Sequence, residues 1–388
     1  IEVLKQNHPG EEIHGDITQI DAKEIPDFDF LLGGFPCQAF SSAGKRLGFS
    51  DTRGTLFFDV ERILKEKNPY GFVLENVEGL VNHDRENPKD KIGRTLSTIL
   101  EHLEALGYKV SWRVLNAKYF GVPQERKRIY IVGTKRDYPD LSTFKHTSKL
   151  LGDVLENGLN TEHSKFIDNL LAHYSIEELE GKSIKDKRGG DNNIHSWDIE
   201  MKGPVSPTQR QLLNTMLKER RKKKWAEEYG IDWMDGMPLT IDQIRTFFEH
   251  PELEEMLNDL VQKKYLRYEH PKKKVGNRRE YDTSLPKGYN IVAGKMSFEI
   301  SKIMGRNDIA PTLVAMDMQH LYVTDGVGVR TLSLREGLRL FGYPDDYKLD
   351  IEKSLGYDLL GNTVVVPVIA EVSGRVLDIY CREEPINA

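Results

Sequence analysis

Between Phe28 and Gly133, short apolar runs alternate with longer amphipathic ones, the pattern of parallel strands joined by crossover helices. The runs predict a strand over 29–34, a helix over 55–67, a strand over 71–75, a helix over 92–106 stopped by Gly107, and strands over 108–115 and 128–133. From about Lys149 to Asn290 the text changes to polar helices and charge clusters, which predicts a second domain. Within it, 239–268 reads as two short helices and a strand, followed by a basic loop and another strand, an order compatible with a winged helix. Its second helix carries Glu252, Glu254, Glu255 and Asp259, so any nucleic-acid contact is expected from the basic loop. Amphipathic text returns at Ser333–Phe341, and a last helix is expected over Val366–Tyr380.

Length and composition narrow this picture. At about 150 residues per domain, 388 residues imply two or three domains. The 38% hydrophobic and 9% aromatic content suits a folded core. The longest apolar run, Val364–Ala370, is far below the roughly 18 residues of a membrane span. Two cysteines, Cys37 and Cys381, leave no cysteine zinc site and fit a reducing compartment, so a cytoplasmic location and no metal are expected. The net charge of −6 is uneven: only residues 202–290 carry more Lys and Arg than Asp and Glu. Its positives cluster at Arg220–Lys224, at Lys272, Lys273 and Lys274, and at Arg278–Arg279, either to neutralise phosphates or as solvated surface.

Four segments carry candidate chemistry. Cys37 follows a strand end and Gly33-Gly34, with Pro36 beside it, at the carboxyl edge where open α/β sheets place ligand chemistry. A right-handed crossover brings Glu75, in Glu75-Asn76-Val77, to the same edge. Gln124, Arg126 and Arg128 share one face of an extended chain, a row suited to a planar polar ligand or an acidic partner. In Leu360–Val366, Asn362 or Thr363 is placed to cap the last helix.

In order and spacing these segments resemble the motif set of the DNA (cytosine-5) methyltransferase family, of the bacterial modification-enzyme type. Phe-Pro-Cys-Gln is similar to the nucleophile loop, Glu-Asn-Val to the acidic motif, Gln-x-Arg-x-Arg to the base-contacting strand, and Gly-Asn-Thr-Val-Val to the last motif. Arg330–Pro344 resembles the penultimate motif, Pro311-Thr312-Leu313 the Thr-Leu pair of the target-recognition domain, and Gly15–Thr18 the strand whose Asp binds adenine. The resemblance implies an α/β fold: a doubly wound, Rossmann-like S-adenosylmethionine-dependent domain over 1–148, a mixed target-recognition domain over 149–328, and a return to the catalytic domain over 329–388. It implies Cys37, Glu75, Arg126 and Arg128 as catalytic, and Asp16, Ile17, Pro36, Leu56, Asn362 and Thr363 as cofactor-binding. Gln38, Ser41, Ser42, Lys45 and Arg46 would contact DNA, joined by Lys272, Lys273 and Lys274. The implied activity is methylation of carbon 5 of a flipped-out cytosine in double-stranded DNA through a Cys37 adduct, in a restriction-modification system with a cognate endonuclease. A transfer RNA cytosine-5 methyltransferase, and an inactive or split-subunit DNA-binding form, are the other readings; the long insert favours DNA.

The family's glycine turn for the cofactor, and the acidic residue that holds its ribose, have no match upstream of Asp16. Ile1–Lys5 reads as the tail of a helix. These residues alone are therefore expected to bind the cofactor poorly, the turn coming from an upstream extension or a second chain.

Overall fold

The computed structural model describes residues 1–35, 56–87, 89–186, 192–232, 236–276, 278–292 and 298–382. The chain divides into two units, one of Ile1–Glu156, Asn307–Met318 and Ser333–Ala388, the other of Asn157–Arg306 and Gln319–Leu332. Where the resemblance implies an insert unbroken from 149 to 328, residues 307–318 fold with the first unit.

The first unit opens with helix α1 (Glu2–Asn7), followed by strand β1 (Phe30–Gly34), helix α2 (Leu56–Lys67), strand β2 (Gly71–Val77), helix α3 (Arg94–Ala105), and strands β3 (Lys109–Asn116) and β4 (Lys127–Thr134). They form one sheet in the order β1-β2-β4-β3. β1 runs parallel to β2, but β4 is antiparallel to both its neighbours. The expected run of parallel strands thus ends in a reversal, because the short link from β3 to β4 leaves no room for the crossover a parallel pair needs. Phe72, Leu74, Ile129 and Ile131 pack with Phe57, Leu64, Leu96 and Ile99 of α2 and α3. Each such fully buried side chain contributes about 1.5–3 kcal/mol.

The second unit begins with helices α4 (Lys165–His173) and α5 (Ile176–Leu179) and short strands β5 (Ser183–Ile184) and β6 (Asn193–Ile194). Helices α6 (Pro207–Glu219), α7 (Lys224–Glu228), α8 (Ile241–Arg245) and α9 (Leu253–Gln262) follow. Strands β7 (Leu266–Glu269), β8 (Lys272–Val275), β9 (Arg278–Tyr281) and β10 (Gly288–Ile291) come next, then β11 (Lys302–Met304), β12 (Leu321–Asp325) and β13 (Gly328–Thr331). This unit has two cores. One centres on the sheet β13-β12-β11-β5-β6. The other gathers Leu212, Leu213, Met216, Ile244, Leu257, Leu260 and Tyr289 from α6, α8, α9 and β10, with Leu239 from the segment before α8. β7 pairs with β10, Leu239 bridges to Tyr289, and the basic loop expected between the two strands forms a hairpin of β8 and β9. Ser206 and Thr240 cap α6 and α8 reciprocally with Gln209 and Gln243, and Pro207 opens α6. Arg220, expected among the exposed positives, is instead buried and donates to Asn290 Oδ1 at 2.7 Å.

The chain returns to the first unit with α10 (Leu334–Leu340), α11 (Lys353–Gly361) and α12 (Val366–Cys381). α12 packs on β2 and β4. Gly71 permits that approach: a Cβ there would stand 2.8 Å from both the Gly133 carbonyl oxygen and Val376 Cγ1. Phe72 and Leu74 point toward α2 and α3, so strand alternation turns Val73 and Glu75 to the opposite face.

Candidate active site

Register builds the centre of the site. Gly34 lies beside Glu75 across the parallel β1–β2 pair, so the end of β1 and the carboxylate share one sheet edge, as the crossover argument requires. Across the antiparallel pair, Glu75 stands opposite Tyr130 and Val77 opposite Arg128. Glu75 and Arg128 are therefore diagonal neighbours on one face, within reach of a long side chain. Arg128 Nε meets Glu75 Oε1 at 2.9 Å, with the two side chains only 14% and 15% exposed. Burial raises the Glu75 carboxyl above its ordinary value of 4.5, against the opposing pull of Arg128 and, less strongly, Arg126. Beside them, burial and the nearby Glu75 push the Tyr130 hydroxyl upward.

Asn76, which the sequence pattern did not single out, is buried and donates from Nδ2 to the Phe35 carbonyl at 3.2 Å. Its Oδ1 accepts from the Val77 N–H at 2.8 Å. The residue after Glu75 thus fixes the backbone just before Pro36 and Cys37. Cys37 itself, with Pro36, Gln38, Ser41, Ser42, Lys45 and Arg46, lies outside the described residues.

Arg126 and Gln124, expected in a row with Arg128, are instead engaged by buried backbone carbonyls. The Arg126 guanidinium is 4% exposed and donates to the carbonyls of Leu313 at 2.9 Å, Gly361 at 3.2 Å and Thr363 at 2.9 Å. It also lies over the Phe341 ring, 5.1 Å from its centroid. Gln124, fully buried, donates to the Leu340 carbonyl and accepts from the Leu313 N–H. Thr312 Oγ1 donates to the Glu125 carbonyl at 2.6 Å. Pro311-Thr312-Leu313 thus belongs to the framework of the first unit, not to the recognition insert. The strand begins only at Lys127, so Gln124 and Arg126 sit on the chain leading into it and turn inward.

The cofactor-binding expectations scatter. Asp16 starts a single 3-10 turn, Ile17–Gln19, rather than a strand, because its carboxylate accepts from Thr18 N–H and Oγ1. Those bonds hold its carboxyl below the ordinary range. Leu56 opens α2, half-buried. Asn362 and Thr363 do not cap α12, whose N-cap is Val365; Asn362 ends α11 and donates to the Asp358 carbonyl. The Thr363 hydroxyl pairs with Tyr343 OH at 2.6 Å. Asn362, Thr363 and Tyr343 line a cleft of about 600 Å³ whose other walls include Leu338, Leu359 and Leu360. Among the described residues no helix is long and apolar enough to cross a membrane, and no three His, Cys, Asp or Glu side chains are grouped to hold a metal ion.

A mixed sheet whose edge carries a buried carboxyl paired with a guanidinium is suited to binding a planar polar ring. Residues 1–378 match the model of the C-5 cytosine-specific DNA methylases, and the chain belongs to that family. It is a DNA (cytosine-5) methyltransferase. It is 67% identical over 377 residues to Type II methyltransferase M.NlaIV of Neisseria lactamica, covering 97% of this chain and 89% of the relative. Against Type II methyltransferase M.NgoBV of Neisseria gonorrhoeae the identity is 65% with the same coverage. Against M.BanI of Aneurinibacillus aneurinilyticus it is 40%, over 93% of this chain and 83% of the relative.

Proposed function

We propose that Cys37, Glu75 and Arg128 methylate carbon 5 of a cytosine flipped out of double-stranded DNA, with S-adenosylmethionine as methyl donor. The buried Glu75–Arg128 pair carries the reading. Cytosine carbon 5 is a weak nucleophile. Addition of the Cys37 thiolate to carbon 6 forms a C–S bond and moves electron density to carbon 5. Negative charge on the ring is relieved by a proton at ring nitrogen 3, which a carboxyl raised by burial can supply. Arg128 orients that carboxyl and donates to the ring oxygen. Once carbon 5 has taken the methyl group, with S-adenosylhomocysteine as the leaving group, its proton passes to water, expulsion of the Cys37 thiolate restores the C5–C6 double bond, and Glu75 recovers the proton from ring nitrogen 3. None of these atoms is reachable in a stacked duplex, hence the flipped base.

The cleft beside Asn362 and Thr363, largely apolar with an amide and a hydroxyl, has the size and lining of a small-molecule site. Asn362 and Thr363 are the side chains of this cleft that we assign to S-adenosylmethionine, which when bound supplies an electrophilic methyl group; the assignment of Leu56, Asp16, Ile17 and Pro36 rests on the family resemblance alone. The kinship with Type II methyltransferases supports a cytoplasmic modification enzyme whose partner is an endonuclease cutting the same site.

The test starts from bisulfite mapping of the modified cytosine after expression. A duplex bearing 5-fluorocytosine at that position, incubated with protein and cofactor, should give a complex that survives denaturing electrophoresis. Cys37→Ser should abolish the complex while retaining DNA binding. Methylation by the Cys37→Ser protein would overturn the mechanism.

A further inference from the structure

The β8–β9 hairpin carries five cations, and its register sorts them. Lys272 faces Tyr281, Lys273 faces Glu280, Lys274 faces Arg279 and Val275 faces Arg278. Because neighbours along a strand point to opposite sides, Lys272, Lys274, Arg279 and Tyr281 share one face, and Lys273, Val275, Arg278 and Glu280 the other. The second face is balanced: Lys273 stands opposite Glu280 and pairs with Asp282 at 3.2 Å. The first presents three cations and no carboxylate from either strand. Lys272 Nζ covers the Tyr281 ring at 4.6 Å, and Tyr281 OH donates to Glu269 at 2.9 Å. The helix that such a fold would offer to a groove, α9, has Glu254 and Glu255 in its first turn.

We propose that the Lys272–Lys274–Arg279 face of this hairpin is the anchor of the second unit on the sugar–phosphate backbone of double-stranded DNA. This rests on the DNA reading above and names which surface serves it. Alternate residues on a strand are about 6.6–6.8 Å apart, comparable with successive phosphates on one nucleic-acid strand. The carboxylates of α9 keep that helix off the phosphates.

Full-length protein should be titrated with a labelled duplex over a range of potassium chloride concentrations. In K272A/K274A/R279A the plot of log affinity against log salt should flatten by about 2–3, near 0.9 per lost phosphate contact. K272Q/K274Q/R279Q, which keeps polar side chains if the alanine protein unfolds, should do the same. K273A/R278A should move the slope by less than half as much. Equal flattening in both sets, no flattening in the first, or a larger loss for single-stranded RNA than for the duplex would overturn the assignment. Methyl transfer by the wild type is read separately. A flattened slope without transfer sinks the enzymatic reading alone, and normal transfer with an unchanged slope sinks the hairpin alone.

Discussion

Replacing Arg126 by Ala should destabilise the first unit rather than merely weaken DNA binding. The guanidinium satisfies three carbonyls, of Leu313, Gly361 and Thr363, from two segments remote in sequence. Hydrogen bonds from a charged donor are worth about 1.5–3 kcal/mol each, and a buried acceptor left unpaired costs about 1–3. The three bonds form one network and do not add in full, so a loss of about 3–5 kcal/mol is expected. For a unit of this size, each kcal/mol moves Tm by about 2–4 °C, which places the shift near 10 °C or more. Arg126→Lys should recover only part of it, since one ammonium cannot reproduce the planar fork. Differential scanning fluorimetry of both variants, with Arg128→Ala for comparison, reads this directly. Arg128→Ala should instead keep most of its stability and lose methyl transfer. An Arg126→Ala protein with wild-type Tm and a raised KM for DNA would show that Arg126 touches the base, and would refute the framework role.

Glu75→Gln should abolish methyl transfer and change how stability depends on pH. A carboxyl raised by folding costs nothing below its ordinary 4.5 and becomes a liability as pH climbs through the raised value. Wild type should therefore lose stability relative to Glu75→Gln on going from pH 4 to pH 8; a constant difference in Tm across that range would count against the buried acid. Asn76→Ala should lower kcat by loosening the Phe35 carbonyl and cost about 1–3 kcal/mol, and single-turnover assays beside denaturant melts would register both. Gly71→Ala should destabilise by about 1–3 kcal/mol through overpacking, visible as a lower urea midpoint, because α12 lies against that position.

The parts of this molecule that local pattern controls were legible in the sequence. α2, α3 and the strands around them read correctly because both faces of the sheet are covered, so burial shows as short apolar runs. That β1 and β2 are parallel neighbours followed from the crossover argument; the register that sets Gly34 beside Glu75 did not. The direction of β4 did not, since alternation looks the same in a strand running either way. Arg126 and Arg128 are two residues apart and identical in type. What separates them is where β4 starts and the carbonyls at 313, 361 and 363, contacts nearly 190 positions or more down the chain. Asn362 and Thr363 have good capping chemistry, but α12 begins later, with Val365 as its N-cap and Pro367 in its first turn. Asn76 carried no signal beyond its place after Glu75, because its partner is a backbone carbonyl 41 residues earlier.

The clasp between Arg126 and Leu313 closes a loop of 187 positions, most of it the second unit. For a flexible chain, closing a loop of that length costs about 2–3 kcal/mol more entropy than closing one of a dozen residues. The 157–306 segment of the second unit removes much of that penalty by itself, because its two ends are neighbours: Arg306 Nη1 reaches Asn157 Oδ1 at 3.4 Å. Once that unit has folded, residues 156 and 307 emerge side by side, and the remaining tether from 126 to 313 is short. Order of assembly is thereby written into the connectivity. An insert that folds first delivers the Thr-Leu segment to its arginine, whereas an insert that folds late leaves the catalytic sheet waiting for the strap that holds its last helices.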